Sequence, residues 1–294
     1  MNIFITGATG FVGSALTAKL AGQHQITALT RSPEKAKKIL PASVKTVSTL
    51  ARYANFDEFD AVINLAGEPI FDRRWTAQQK ERLTNSRVNL TENLTALINN
   101  SVTPPHTFIS GSACGYYGDC GEQPIDENTP PSDAFPAELC QQWEAAALNA
   151  DTRVCVLRTG IVMDKSGGAL ARMLPLYRCG LGGKLGNGKQ FWAWIALPDM
   201  INAIEFLLLH PTCQGAFNLV SPHPIRNAEF NRMLGSAVKR PHFAAVPAFV
   251  LKLLLGERSQ LLLDSQNVQP SKLLAAGFEF QLPTLQQAIS ELLK

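Results

Sequence analysis

Short apolar runs and helical stripes alternate along the first two-thirds of this chain. Residues 3–5 form an apolar run that meets Gly7, which predicts a first strand and a tight turn. Ala15, Leu16 and Leu20 follow at helical spacing and predict a first helix. Residues 26–29 predict a second strand ending at Thr30-Arg31, and Ser32-Pro33-Glu34 supplies the cap and early proline of the next helix. Residues 44–47 predict a third strand, and residues 60–65 a buried strand that runs into Ala66-Gly67. Residues 76–99 read as one long helix with Leu83, Leu90, Leu94 and Leu97 on one stripe. Further strands are predicted at 107–110 and 154–157, separated by a helix over 135–148.

This succession predicts an α/β fold, a Rossmann-type doubly wound parallel sheet with helices on both faces. Residues 165–190 interrupt it with many glycines. A helix around 198–209, a strand at 217–220 and a mainly helical C-terminal lobe follow. The expected division is a sheet domain over 1–164, completed by about 196–220, with a smaller substrate or closing lobe from 165–195 and 221–294.

The glycines give the first turn a chemical meaning. Gly7 permits the turn, Gly10 lets backbone approach a pyrophosphate, and Gly13 lets the helix pack close to the strand. N–H groups at the helix start point at the anion. An ordinary strand-to-helix turn is the bland alternative. At the head of an alternating α/β chain, however, Gly7, Thr9, Gly10, Phe11, Val12 and Gly13 read as a dinucleotide cradle. After the second strand comes Thr30-Arg31-Ser32, with no carboxylate before Glu34. A guanidinium there pairs with a 2′-phosphate, so NADP(H) is expected over NAD(H), unless Arg31 is a solvated surface residue.

Composition narrows the rest. Hydrophobic residues make up 46% of the 294 and charged residues 17%, which excludes a disordered chain. The net charge of +3 is too small and dispersed to argue for nucleic acid or a membrane surface. The six cysteines form no CxxC pair and no metal-ligand cluster, so reduced thiols in a cytoplasmic protein are expected. The apolar N-terminus lacks the basic leader of a signal peptide, and residues 246–255, interrupted by Lys252, are too short to span a bilayer.

Two places carry unabsorbed polar chemistry. Arg87 falls on the apolar stripe of the long helix, with Lys80 nearer its start. It needs a carboxylate, a set of backbone carbonyls or the cofactor as partner. The segment from Ser110 to Gly118 leaves a strand at its carboxyl end and offers Ser112, Tyr116 and Tyr117 as hydroxyl donors, although one ring could be core packing. The glycine-rich residues 180–188 and the aromatics Phe191, Trp192 and Trp194 read either as a mobile flap with a stacking wall or as a surface loop anchored by core aromatics.

Gly7/Gly10/Gly13, Asn64-Leu-Ala-Gly67, the serine strand at Ser112 and Leu157-Arg-Thr-Gly-Ile-Val162 resemble an extended short-chain dehydrogenase/reductase. Arg74-Trp75, Lys80-Glu81, Ser86-Arg87, Tyr117-Gly118, Trp143-Glu144, Gly182-Gly183 and Trp194-Ile195 narrow the resemblance to an atypical subgroup of epimerase-family proteins, over nearly the whole chain. Ordinary members use Tyr-x-x-x-Lys on the helix after the serine strand. The resemblance implies that Cys140 stands where the lysine would be and Arg87 where an asparagine would be. It also implies cofactor contacts at Thr30, Arg31, Leu65, Ala66, Glu81, Arg87 and Val162.

The candidate catalytic groups are then Ser112, Tyr117, Tyr116 and Cys140. A tyrosine of pKa about 10 needs a cation nearby to work near neutrality, and a thiol of pKa about 8.5 cannot supply one. Relatives tend to carry a histidine after Trp194-Ile195, where this chain has Ala196, so no role can pass to it. The expected activity is an NADP(H)-dependent oxidoreductase or nucleotide-sugar-epimerase-like reaction on a small-molecule substrate. A non-catalytic NADPH-binding sensor or assembly protein is the alternative. A homodimer through sheet-flanking helices is an expectation by analogy.

Overall fold

A computed structural model describes residues 1–293. Its strands are β1 (Asn2–Thr6), β2 (Gln25–Leu29), β3 (Lys45–Val47), β4 (Ala61–Asn64), β5 (Thr107–Ala113), β6 (Arg153–Thr159), β7 (Ile161–Asp164), β8 (Phe191–Trp192), β9 (Trp194–Ala196), β10 (Gly215–Leu219) and β11 (Ile225–Arg226). Helices α1 (Phe11–Leu20), α2 (Pro33–Ala36), α3 (Ala77–Asn85), α4 (Val88–Asn99), α5 (Phe135–Leu148), α6 (Gly168–Arg178) and α7 (Leu197–Leu209) connect them. The C-terminal part adds α8 (Asn227–Ala237), α9 (Ala248–Leu255), α10 (Gln260–Leu263), α11 (Ser271–Ala275) and α12 (Leu285–Leu292).

Seven strands form one parallel sheet in the order β10-β6-β5-β4-β1-β2-β3. Side chains alternate across it. Ile3 and Ile5 join Ile26, Ile63, Ile109 and Leu157 on one face, under Leu16 and Leu20 of α1 and Ile204 and Leu207 of α7. Phe4 points the other way, to Val62, Phe108, Val154 and Val156 under Leu94 and Ile98 of α4. Strand order reverses at β1 and β4, so the crevice beyond their carboxyl ends is where such sheets bind ligands.

The helix expected over 76–99 is broken at Arg87 into α3 and α4. The Leu83 carbonyl, which an unbroken helix would offer to the Arg87 N–H, instead accepts from Ser86 Oγ (2.9 Å) and Arg87 Nη1 (3.2 Å). The Arg87 N–H turns to Thr84 O at 3.0 Å. Polar side chains have captured a backbone acceptor, which apolar spacing does not reveal. The glycine-rich residues 165–190 also hold a helix, α6, whose Leu170, Leu174 and Tyr177 pack on Trp192, Trp194 and Phe230 in a second core. These tryptophans are wedged in place, Trp192 Nε1 donating to Leu262 O (3.2 Å) and Trp194 Nε1 to His223 O (3.0 Å). The aromatics therefore anchor the loop from below. Among the described residues no helix is long and apolar enough to cross a membrane.

Candidate active site

The turn after β1 is shaped by what side chains would hit. Gly7 has φ +72°, and a Cβ there would stand 2.6 Å from the Leu65 carbonyl carbon. A Cβ on Gly13 would stand 2.1 Å from Gly7 O. Gly10 caps α1 without any side-chain acceptor, so the amides of the first turn keep the unsatisfied N–H groups that helix geometry leaves them. The half-buried Phe11 lays its ring against Gly167 and Gly168, and Val12 packs on the core beneath. Thr9 is half-buried beside them, and Leu65 and Ala66 leave β4 along the same rim.

Thr30 continues β2, its N–H donating to Val47 O at 2.9 Å. Arg31 next to it is exposed and has no hydrogen bond or ion pair among the described residues. Val162 lies half-buried in β7, in register with Ile195. Glu81 is exposed on α3.

Arg87 finds its partners mostly in the backbone. Nη1 donates to Leu83 O and Ser86 Oγ, both at 3.2 Å, and Nη2 donates to Glu68 O at 2.9 Å. The guanidinium stands 5.3 Å over the Trp143 ring and occupies the space a side chain on Gly67 would need. Burial lowers its pKa, while nearby Cys140 and Glu68 act the other way. Nε–H and one Nη2–H remain for a ligand.

Beneath the mouth of the site runs a buried polar chain that spacing alone does not find. Ser112 at the end of β5 donates to Glu144 Oε1 on α5 at 2.6 Å. Arg158 of β6, in register with Ser112, grips both Glu144 oxygens at 2.9 Å. Its Nη1 donates to Tyr117 Oη at 3.0 Å and to Glu127 O at 3.1 Å. Tyr117 Oη in turn donates to Asn218 Oδ1 at 2.7 Å. Burial raises the Tyr117 pKa further, against the pull of Arg158. The ring packs in the core, and its hydroxyl is satisfied by Arg158 and Asn218.

Tyr116 differs from its neighbour. It is half-buried, its ring lies 3.5 Å below the Arg158 guanidinium, and its hydroxyl has no hydrogen bond among the described residues. Cys140 lies one helical turn before Glu144 on the same face of α5. Its thiol contacts Ala113 O at 3.6 Å, and burial pushes its pKa up to about 11. The geometry thus gathers Ser112, Cys140 and Arg87 around α5. The unforeseen members are Glu144, Arg158 and Asn218. Glu144 and Arg158 stand among the motifs of the family resemblance, but only the fold buries them together as a pair.

A doubly wound sheet, a glycine turn at its switch point and a serine at the end of β5 define a Rossmann-type protein of the short-chain dehydrogenase/reductase class. The comparisons make this specific. A profile of the NAD dependent epimerase/dehydratase family matches residues 3–220, and one for a domain of unknown function, DUF1731, matches residues 246–292. The chain belongs to the NAD dependent epimerase/dehydratase family, as an atypical extended member.

It is 39% identical over 303 residues to the chloroplastic epimerase family protein SDR39U1 homolog of Arabidopsis thaliana, covering 100% of this chain and 87% of that protein. It is 37% identical to epimerase family protein ML0860 of Mycobacterium leprae, covering 98% of this chain and 94% of that protein. Among solved structures, human epimerase family protein SDR39U1 (isoform 2) with NADPH superposes with a TM-score of 0.91 at 34% identity, over 99% of each chain.

Proposed function

We propose that this chain binds NADP(H) and uses it in an oxidoreductase or epimerase-like reaction at a carbon bearing oxygen. The observation that carries this is Arg31, exposed and unpaired at the end of β2, beside a glycine cradle and with no carboxylate at its side. The residues present fit the group. Gly7 and Gly13 leave room that any side chain would fill, and the capless start of α1 offers N–H donors to a pyrophosphate. The human relative crystallised with NADPH supports the same assignment. Thr9, Gly10, Phe11 and Val12 would line the cradle, with Leu65, Ala66 and Val162 along its length. Arg31 would grip the 2′-phosphate, and Thr30, Glu81 and Arg87 complete the contacts.

When bound, the nicotinamide supplies or accepts hydride. The chain's own residues position and protonate. Ser112 donates its single O–H as a hydrogen bond to the Glu144 carboxylate, so toward a ligand its oxygen presents lone pairs and accepts from a hydroxyl. The resting site is therefore set for the alcohol form of a substrate. Tyr116 is the hydroxyl left without a partner and is the leading proton donor, with Cys140 behind it because its thiol stays protonated near neutrality.

A second reading, an NADPH-binding sensor without turnover, draws on Pro136 and Cys140, which stand where a Tyr-x-x-x-Lys pair would be. Two experiments follow, the first testing the cofactor assignment and the second separating the two readings. Arg31→Ala should weaken NADPH binding by about 10- to 100-fold and leave NADH nearly unchanged, the value of a charge-assisted phosphate contact. The purified protein loaded with NADPH should then oxidise it against a panel of carbonyls and nucleotide sugars. Equal losses for both cofactors would remove the NADP assignment, and silence across the panel would favour the sensor.

A further inference from the structure

The net charge of the chain is only +3, but the fold does not distribute it evenly. Two segments distant in sequence run side by side. The Ala244 N–H donates to Gly182 O (3.0 Å), Val246 to Lys184 O (2.9 Å), and Gly186 to Val246 O (2.8 Å). Gly183 is so close to this neighbour that a Cβ would stand 2.0 Å from Ala244 O. That register pairs Leu185 with Val246, and α9 follows directly after Pro247.

The side chains on this edge are apolar and face outward. Only Leu251 of α9 is buried. Phe249 and Leu253, one helical turn apart, are 71% and 74% exposed, and Phe243 is 85% exposed. Leu181 and Leu254 are exposed as well. Exposed aromatic and aliphatic side chains gathered on one eight-residue helix and the segment leading to it mark an interaction surface. Its rim is basic: Arg178, Lys184, Lys239 and Arg240 are exposed, and none forms an ion pair among the described residues. Lys252 projects from α9 itself and feels the Asp264 carboxylate across a neighbouring cavity. Residues 176–190 and 238–256 contain no aspartate or glutamate.

We propose that this face docks on the surface of an anionic lipid bilayer. Phe243, Phe249 and Leu253 enter the headgroup–acyl boundary, while Arg178, Lys184, Lys239 and Arg240 meet acidic headgroups. The eight-residue α9 is far too short to span, so it lies in the interface plane. A second copy fits poorly, because two-fold pairing of this face would set the same basic rim against itself. An anionic bilayer meets the apolar tips and the positive rim together. The inference does not depend on the cofactor.

The test is co-sedimentation of the full chain with phosphatidylcholine vesicles, with and without phosphatidylglycerol. Binding is expected only when phosphatidylglycerol is present, and added salt should weaken it. Phe249→Asp with Leu253→Asp should lower partitioning by about tenfold or more, since each side chain buries substantial apolar area. Lys239→Glu with Arg240→Glu should abolish the phosphatidylglycerol preference. All four residues are exposed, so unchanged circular dichroism and Tm are expected in both variants. No partitioning of the unaltered chain, or partitioning unchanged in both variants, would overturn the proposal. So would a concentration-dependent dimer in ultracentrifugation that Phe249→Asp dissolves, which would give this face to a second copy.

Discussion

The charged residues of this chain divide into those the fold encloses and those it leaves for a ligand. Glu144 and Arg158 belong to the first kind: both are buried and bound through two 2.9 Å hydrogen bonds. Removing one partner leaves the other buried and uncompensated. Glu144→Gln should cost about 3–5 kcal/mol in urea unfolding, whereas replacing both residues by leucine should recover most of it. A cost below about 1 kcal/mol for the single change would mean that water reaches the pair. Arg31 is of the second kind. Arg87 lies between them, held by two carbonyls and a hydroxyl yet retaining N–H groups to offer.

At the scale of elements, the close approach of α1 to β1 controls the site. Gly13 sits where a methyl group would collide with Gly7 O at 2.1 Å, and that atom is backbone with nowhere to move. Gly13→Ala should therefore push α1 off the turn, costing about 1–3 kcal/mol of stability in denaturant titration, as overpacking does. NADPH binding should fall with it. Retained binding at wild-type stability would show that the turn relaxes elsewhere. Helix α5 acts in the same way for the other half of the site, because one face carries Cys140 and Glu144 to Ser112 and Arg158. The α3–α4 break belongs here too, since it sets the Arg87 guanidinium over Trp143.

For the whole molecule, burial of neutral acids gives an alkaline limit. The thiols of Cys140 and Cys155 are both pushed up to about 11 by burial, from an ordinary value of 9.0. Unfolding exposes them, and the unfolded chain then loses these protons at lower pH than the folded one. Their stabilising contribution is complete below about pH 9 and is lost as the pH rises through about 11. The urea midpoint should fall across that window, and Cys140→Ser with Cys155→Ser should flatten the fall. A midpoint flat from pH 8 to 11 in the unaltered protein would contradict the burial of these groups. For the same reason Cys140 should resist alkylation near neutrality.

Much of this protein was determined locally. Short continuous apolar runs marked the strands, and the glycines at 7, 10 and 13 announced the turn, because backbone approach tolerates no side chain there. Absence of an acid after β2 pointed to a 2′-phosphate without any structure. The helix α6 and the break at Arg87 were hidden, the first behind glycine content and the second behind side chains competing for one carbonyl. Only the tertiary structure decided which tyrosine is enclosed, that Ser112 faces a carboxylate, and that weakly charged segments 60 residues apart make one basic, apolar edge. Those outcomes depend on contacts between residues distant in the chain. Burial and pairing there set the energy of each polar group, and spacing along the sequence carries no record of it.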